Sequence, residues 1–150
     1  METMKAIATR HIVLYADDDA DDLMLLQLAF DEYAANVEVV TAWDGKEALL
    51  YLESLSPADA TPCLIILDVN MPRMNGKEAL KAIRSMKRFE ATPIVLFTTS
   101  SFLPDKALAE EYNAGFMTKP LEAKEMQAIA AQFVEHCSDE VKKNIQKKVC

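Results

Sequence analysis

Five short runs of branched and apolar residues alternate with five longer segments of helical spacing, and this alternation restricts the fold more than any other feature of the chain. The short runs are IVLYA (12–16), VEVVTA (37–42), CLIIL (63–67), PIVLFT (93–98) and GFMT (115–118). Four of them lack polar alternation, as expected of parallel strands covered on both faces. VEVVTA alternates more, which places it nearer an edge. Between the runs, Leu23, Leu26, Phe30 and Tyr33 recur at three to four residues, as do Ala79/Leu80, Ile83 and Met86. Met126, Ile129, Ala130, Phe133 and Cys137 form a wide apolar stripe after the last run. DGKEALLYLESL (44–55) and LPDKALAEEYN (103–113) supply the other two helices. The three glycines and six prolines all fall at the proposed boundaries. Asp19, Asp21 and Asp22 stand where the first helix begins, which suits caps and the positive end of the dipole. Five βα units in sequence imply an α/β fold: a doubly wound, five-stranded parallel sheet with right-handed crossovers, flanked by five helices.

At 150 residues the chain is one domain long, enough to bury a single core. Its net charge of −8 argues against a nucleic-acid surface, which collects basic patches to displace counterions. METMKAIATRH is too short and polar for a signal peptide, and no apolar run approaches a membrane span. Cys63, Cys137 and Cys150 are odd in number and widely spaced, without a C-x-x-C pair, so reduced thiols in a cytoplasmic protein are expected. No segment repeats or is low in complexity.

In a sheet of this kind a site forms beyond the carboxyl ends of the strands. Those positions hold Asp17-Asp18-Asp19 after the first strand, Asp68 after the third, Thr98-Thr99 at the fourth and Lys119-Pro120 after the fifth. The second strand offers Ala42-Trp43-Asp44, read as structural. Carboxylates from two strands pressed into one cleft raise each other's pKa unless a cation intervenes. Hard oxygen ligands with open positions suit Mg²⁺. An Asp can act as a nucleophile toward phosphorus, and phosphoryl transfer then needs charge neutralisation and alignment from a metal, a lysine and a hydroxyl. Each residue alone also has a plain structural reading: an Asp triplet caps helices, a lone Asp turns the chain, and Lys-Pro is a solvated loop. Their joint placement at successive strand ends favours function.

The motifs IVLYADDDADD, LIILDVNMPRMNG, PIVLFTTSS and GFMTKP, in this order, resemble the receiver domain of two-component response regulators over residues 11–135. The resemblance implies a flavodoxin-like fold with strand order 2-1-3-4-5. It further implies that Asp68 is the phosphoacceptor and that Mg²⁺ is bound by Asp17, Asp18, Asp68 and the backbone carbonyl of Asn70. Asp18 would ligate directly and Asp17 largely through water. Thr98 and Lys119 would contact the phosphoryl oxygens, and Phe116 would turn inward as Thr98 moves. The Lys119–Pro120 bond is expected cis, as is typical of the family. Three departures stand out: Ala16 precedes the acidic pair, a third Asp follows it, and Phe116 replaces the commoner Tyr. The motifs are most similar to short regulators paired with bacterial phytochrome-like kinases.

The function implied is that of a stand-alone, cytoplasmic response regulator in a phosphorelay, phosphorylated by a sensor histidine kinase and read by a downstream protein. A homodimer through the face of the fourth helix, fifth strand and fifth helix is one such reading, with no nucleic acid or membrane involved. It would catalyse only its own phosphorylation and dephosphorylation. The rivals are a receiver acting purely as a phosphorylation-independent protein-binding module, and an aspartate-nucleophile phosphatase. The phosphatase would want a second Asp two positions after Asp68, where Asn70 stands. Domain boundaries are expected at 1–10 for an N-terminal extension, 11–135 for the receiver and 136–150 for a basic helical extension. In that tail Val141, Ile145 and Val149 recur at four residues among Lys142, Lys143, Lys147 and Lys148. A solvated continuation of the last helix is expected there rather than a docking element.

Overall fold

The structure is a computed structural model and describes residues 10–145. Five parallel strands, β1 (His11–Ala16), β2 (Val37–Ala42), β3 (Leu64–Asp68), β4 (Ile94–Thr98) and β5 (Gly115–Thr118), form one sheet in the order β2-β1-β3-β4-β5. This is the expected doubly wound order. The edge position of β2 accounts for its alternation: Val37 and Ala42 are buried while Glu38 and Thr41 face solvent. All five residues of β3 and of β4 are buried.

Burial on both faces explains why the central strands read as unbroken apolar runs. Val13 and Tyr15 of β1 and Leu64 and Ile66 of β3 point to one face, where they meet Leu26, Phe30 and Phe133. Leu14, Ile65, Leu67 and Leu96 point to the other, where Leu52, Ala79, Leu80 and Ile83 cover them. The covering helices on the second face are α2 (Gly45–Ser54), α3 (Gly76–Arg84) and α4 (Leu103–Glu111). On the first face lies α1 (Ala20–Ala29), whose N-cap Asp19 accepts hydrogen bonds from the N–H groups of Asp21 and Asp22.

The C-terminal segment departs from expectation. The predicted fifth helix is two short helices, α5 (Ala123–Gln127) and α6 (Ala130–Val134). Between them the N–H groups of Ala128 and Ile129 bond to the carbonyls three residues back, Glu125 and Met126, tightening the helix for one turn. The apolar stripe survives this change: Met126, Ile129, Ala130 and Phe133 all remain buried. The tail is a correction as well. It does not continue the last helix into solvent; Ser138 caps a separate helix, α7 (Asp139–Asn144), by accepting from the N–H of Val141. α7 brings Ile145 into the first core cluster at 5% exposure, with Val141 packed against it. Burying that side chain outweighs hydration of a straight extension. Lys147, Lys148, Val149 and Cys150 lie outside the described residues. Among the described residues no helix is long and apolar enough to cross a membrane.

Candidate functional site

The carboxyl ends of β1, β3, β4 and β5 meet in one shallow cleft. Two local devices fix its floor. Gly76 opens α3 directly against the end of β3: its N–H donates to the Val69 carbonyl, and a Cβ there would stand 2.2 Å from the carbonyl oxygen of Asp68. The loop between them is pinned from outside by Arg73, whose guanidinium donates twice to the carboxylate of Asp44, the buried N-cap of α2. This fork holds Asp44 below its usual carboxylate range. Asp44 is therefore the structural residue its position implied, and Arg73 adopts a left-handed φ of 61° to reach it.

Within the cleft, one carboxylate oxygen each from Asp17, Asp18 and Asp68 lies within 4.8 Å of the others. Asp17 is fully buried, Asp68 is 6% exposed and Asp18 faces solvent. Asp17 is saturated with partners: its carboxylate accepts from the Tyr15 hydroxyl, from the Asp19 N–H at 2.9 Å and from Lys119 Nζ at 2.7 Å. Asp68 is less well compensated. Burial and the Asp17 charge push its pKa up to about 7, against the opposing pull of Lys119 and the Asn70 N–H. A set of three converging hard oxygen donors, one of them open to solvent, fits a divalent cation that retains waters.

Lys119 is buried at the heart of the cleft. Its ammonium lies 2.7 Å from Asp17, 2.8 Å from Asp22 and 3.6 Å from Asp68, and 5.8 Å above the Phe97 ring. Burial alone would push its pKa down, but the hydrogen bonds to Asp17 and Asp22 and the nearby carboxylate charges outweigh that and raise it. It is a fixed cation at any physiological pH. The Lys119 N–H donates to the Thr98 carbonyl at 2.6 Å, tying the ends of β4 and β5 together. The bond that follows is not cis as expected: among the described residues no peptide bond is cis. Trans is the lower-energy form of an X–Pro bond by about 0.5–1 kcal/mol, and the lysine reaches its carboxylates with it.

Thr98 is fully buried, and its hydroxyl oxygen accepts from the Ser100 N–H at 3.2 Å. Phe116, paired with Leu96 in the sheet register, is half-buried and packs on the second core cluster. Asn70 is exposed at the cleft edge. The structure thus brings Asp17, Asp18, Asp68, Asn70, Thr98 and Lys119 to one rim, with Phe116 three residues before Lys119 on β5. Two participants escaped the sequence reading. Tyr15 shares a strand face with Asp17 through the period-two alternation, a signal that was available. Asp22 reads as a dipole-matching acid of α1, and nothing local announces that it reaches Lys119.

A doubly wound sheet with an acidic cluster, a buried lysine and a threonine at its carboxyl edge defines a receiver domain. The chain belongs to the response regulator receiver family, whose model matches residues 13–131. Solved structures agree. The phosphorylated cyanobacterial phytochrome response regulator RcpA is 27% identical with a TM-score of 0.78, covering 88% of this chain and 96% of that one. The Mn²⁺-bound response regulator Rcp1 is 26% identical, TM-score 0.71, covering 81% and 92%. The chemotaxis response regulator CheY4 of Vibrio cholerae is 33% identical, TM-score 0.67, covering 83% and 98%. No curated protein sequence matches the chain significantly.

Proposed function

We propose that this protein is a cytoplasmic response regulator that takes a phosphoryl group onto Asp68 from a sensor histidine kinase and signals through a change at its surface. One observation carries the reading: the Asp68 carboxylate ends β3 among the carboxylates of Asp17 and Asp18, 3.6 Å from the Lys119 ammonium. Attack by an Asp68 oxygen forms a P–O bond as the P–N bond of a phosphohistidine breaks and the imidazole leaves. Lys119 favours the ionised carboxylate this requires and offers its charge to the phosphoryl oxygens, as does the Thr98 hydroxyl by hydrogen bonding. Mg²⁺ fits the donor set of Asp17, Asp18, Asp68 and the Asn70 carbonyl, and when bound supplies neutralisation of the carboxylate and phosphoryl charges. Asp18, the exposed member, would be free to hold the ion, while Asp17 is already occupied by Tyr15 and Lys119 and would contribute mainly its charge. With Asn70 in place of a second acid, the reaction stops at self-phosphorylation and self-dephosphorylation.

The likeness to RcpA supports a phytochrome-like kinase as phosphodonor. The signal leaves as Thr98 is drawn from the Ser100 N–H toward the phosphoryl group, letting Phe116 turn inward. That movement alters the surface of α4, β5 and α5, where Lys106, Glu110, Glu111, Lys124 and Glu125 are exposed. The reader is a downstream protein or a second copy of the chain joined through this face. Incubation with acetyl phosphate and Mg²⁺ is expected to add one hydroxylamine-labile phosphoryl group, and Asp68→Asn to prevent it. Labelling that persists in the Asn variant would overturn the assignment. Sedimentation of the same samples distinguishes the two readers, a second copy raising the mass only in the labelled wild type.

A further inference from the structure

Asp22 stands apart from the three carboxylates that converge on the cation position, yet it sits 2.8 Å from Lys119. It arrives from the first turn of α1, where the N-cap Asp19 fixes its backbone N–H. An ammonium has three N–H donors. Asp17 and Asp22 engage two of them at hydrogen-bond distance, while Asp68 is left at 3.6 Å. An acid that touches only the lysine of the site acts through that lysine.

We propose that Asp22 is a positioning residue that restrains Lys119 and thereby weakens the hold of the site on a phosphoryl group at Asp68. The proposal rests on the reading of Asp68 as phosphoacceptor. Two effects act in the same direction. An ammonium already paired with Asp22 presents less uncompensated charge to an incoming oxyanion, and moving closer to that oxyanion lengthens its contact with Asp22. The Asp22 carboxylate also repels the negative charge that the phosphoryl group adds. Toward a divalent cation its influence has the opposite sign, because each nearby carboxylate deepens the negative potential that attracts the metal. Asp22 therefore sets how long the phosphorylated state persists and how far Lys119 commits to it, without being a ligand of either charge.

The test uses the full chain with beryllofluoride as the phosphoryl mimic, in wild type, Asp22→Asn and Asp22→Glu. Titrations of beryllofluoride at saturating Mg²⁺, and of Mg²⁺ alone, are followed by the fluorescence of the exposed Trp43 and by calorimetry. Asp22→Asn is expected to bind beryllofluoride about fivefold more tightly, the scale of one partly exposed ion pair, while its Mg²⁺ affinity does not rise. Asp22→Glu, which keeps the charge, is expected to stay near wild type. Equal or weaker beryllofluoride binding by Asp22→Asn, with wild type binding normally, overturns the restraint. So does a parallel tightening of Mg²⁺, which would mark a general loosening of the cleft. If wild type itself shows no Asp68-dependent beryllofluoride binding, the phosphoacceptor reading fails first and takes the restraint with it. Circular dichroism melts of the three proteins keep a folding defect from passing as either result.

Discussion

Arg84 and Lys119 each bring a positive charge into partly desolvated surroundings at opposite edges of the sheet, and their partners differ in kind. Arg84, near the end of α3, donates to the carbonyls of Tyr112, Asn113, Phe89 and Thr92 at 2.7–3.0 Å, just ahead of β4 and β5. Burial lowers its pKa, since the carbonyls solvate it without cancelling its charge. Lys119 sits among the carboxylates of Asp17, Asp22 and Asp68, and its pKa is raised. Backbone dipoles are fixed by the fold and cannot be exchanged, so the Arg84 edge is a staple. Carboxylates can trade one cation for another or acquire a phosphoryl group, so the Lys119 edge can change state. The difference separates the pole that holds the sheet together from the pole where chemistry is possible.

The largest effect is expected from Arg84→Ala, which takes the guanidinium away from four carbonyls, of which Phe89's keeps the Thr92 N–H: a loss of about 3 kcal/mol in urea unfolding, unchanged by Mg²⁺. Arg84→Lys would recover less than half, because a point charge cannot span the guanidinium's fork. Lys119→Met is expected to cost less in EDTA, because a proton on Asp68 relieves part of the uncompensated charge, and Mg²⁺ is expected to restore most of the loss by supplying the missing cation. Should Mg²⁺ rescue both variants alike, or neither, the contrast between the poles breaks.

The smallest effect concerns pH. The Asp68 carboxyl has a folded pKa raised from 3.8 to about 7. The folded state then binds the proton more tightly than the unfolded chain, so stability is fullest below the lower value and declines as pH rises through that window. In EDTA this amounts to about 1–2 kcal/mol once screening is allowed for. Asp68→Asn removes that decline, whereas Arg84→Lys leaves it in place. A wild-type profile that rises over the same interval would show that another group dominates the cleft.

Much of this arrangement was legible because it depends on short-range rules. Runs such as LIIL of β3 announce a strand buried on both faces, and a site at the carboxyl edge then follows from topology, which is why Asp17, Asp18, Asp68, Thr98 and Lys119 could be named together. What escaped depends on reach across the fold. Asp22 looks like a helix-start acid until α1 is docked beside α5, and Tyr15 looks like core until its hydroxyl finds Asp17. The break between α5 and α6 has no cap residue or proline to mark it; two alanines and an isoleucine simply close a tighter turn. The Lys119–Pro120 bond followed family habit in expectation and the intrinsic trans preference in the structure. The tail was misread because lysines dominate its composition, while the deciding residue, Ile145, is a single apolar side chain.

That last residue changes what counts as the cooperative unit. The family match ends at 131, yet Phe133, Val134, Cys137 and Ile145 all belong to the first-face core cluster. A chain shortened to the matched segment would expose an apolar socket that the intact protein never shows to solvent. The short helix α7 works as a strap that carries one apolar side chain, Ile145, back onto the core, far in sequence from every residue of the reactive rim.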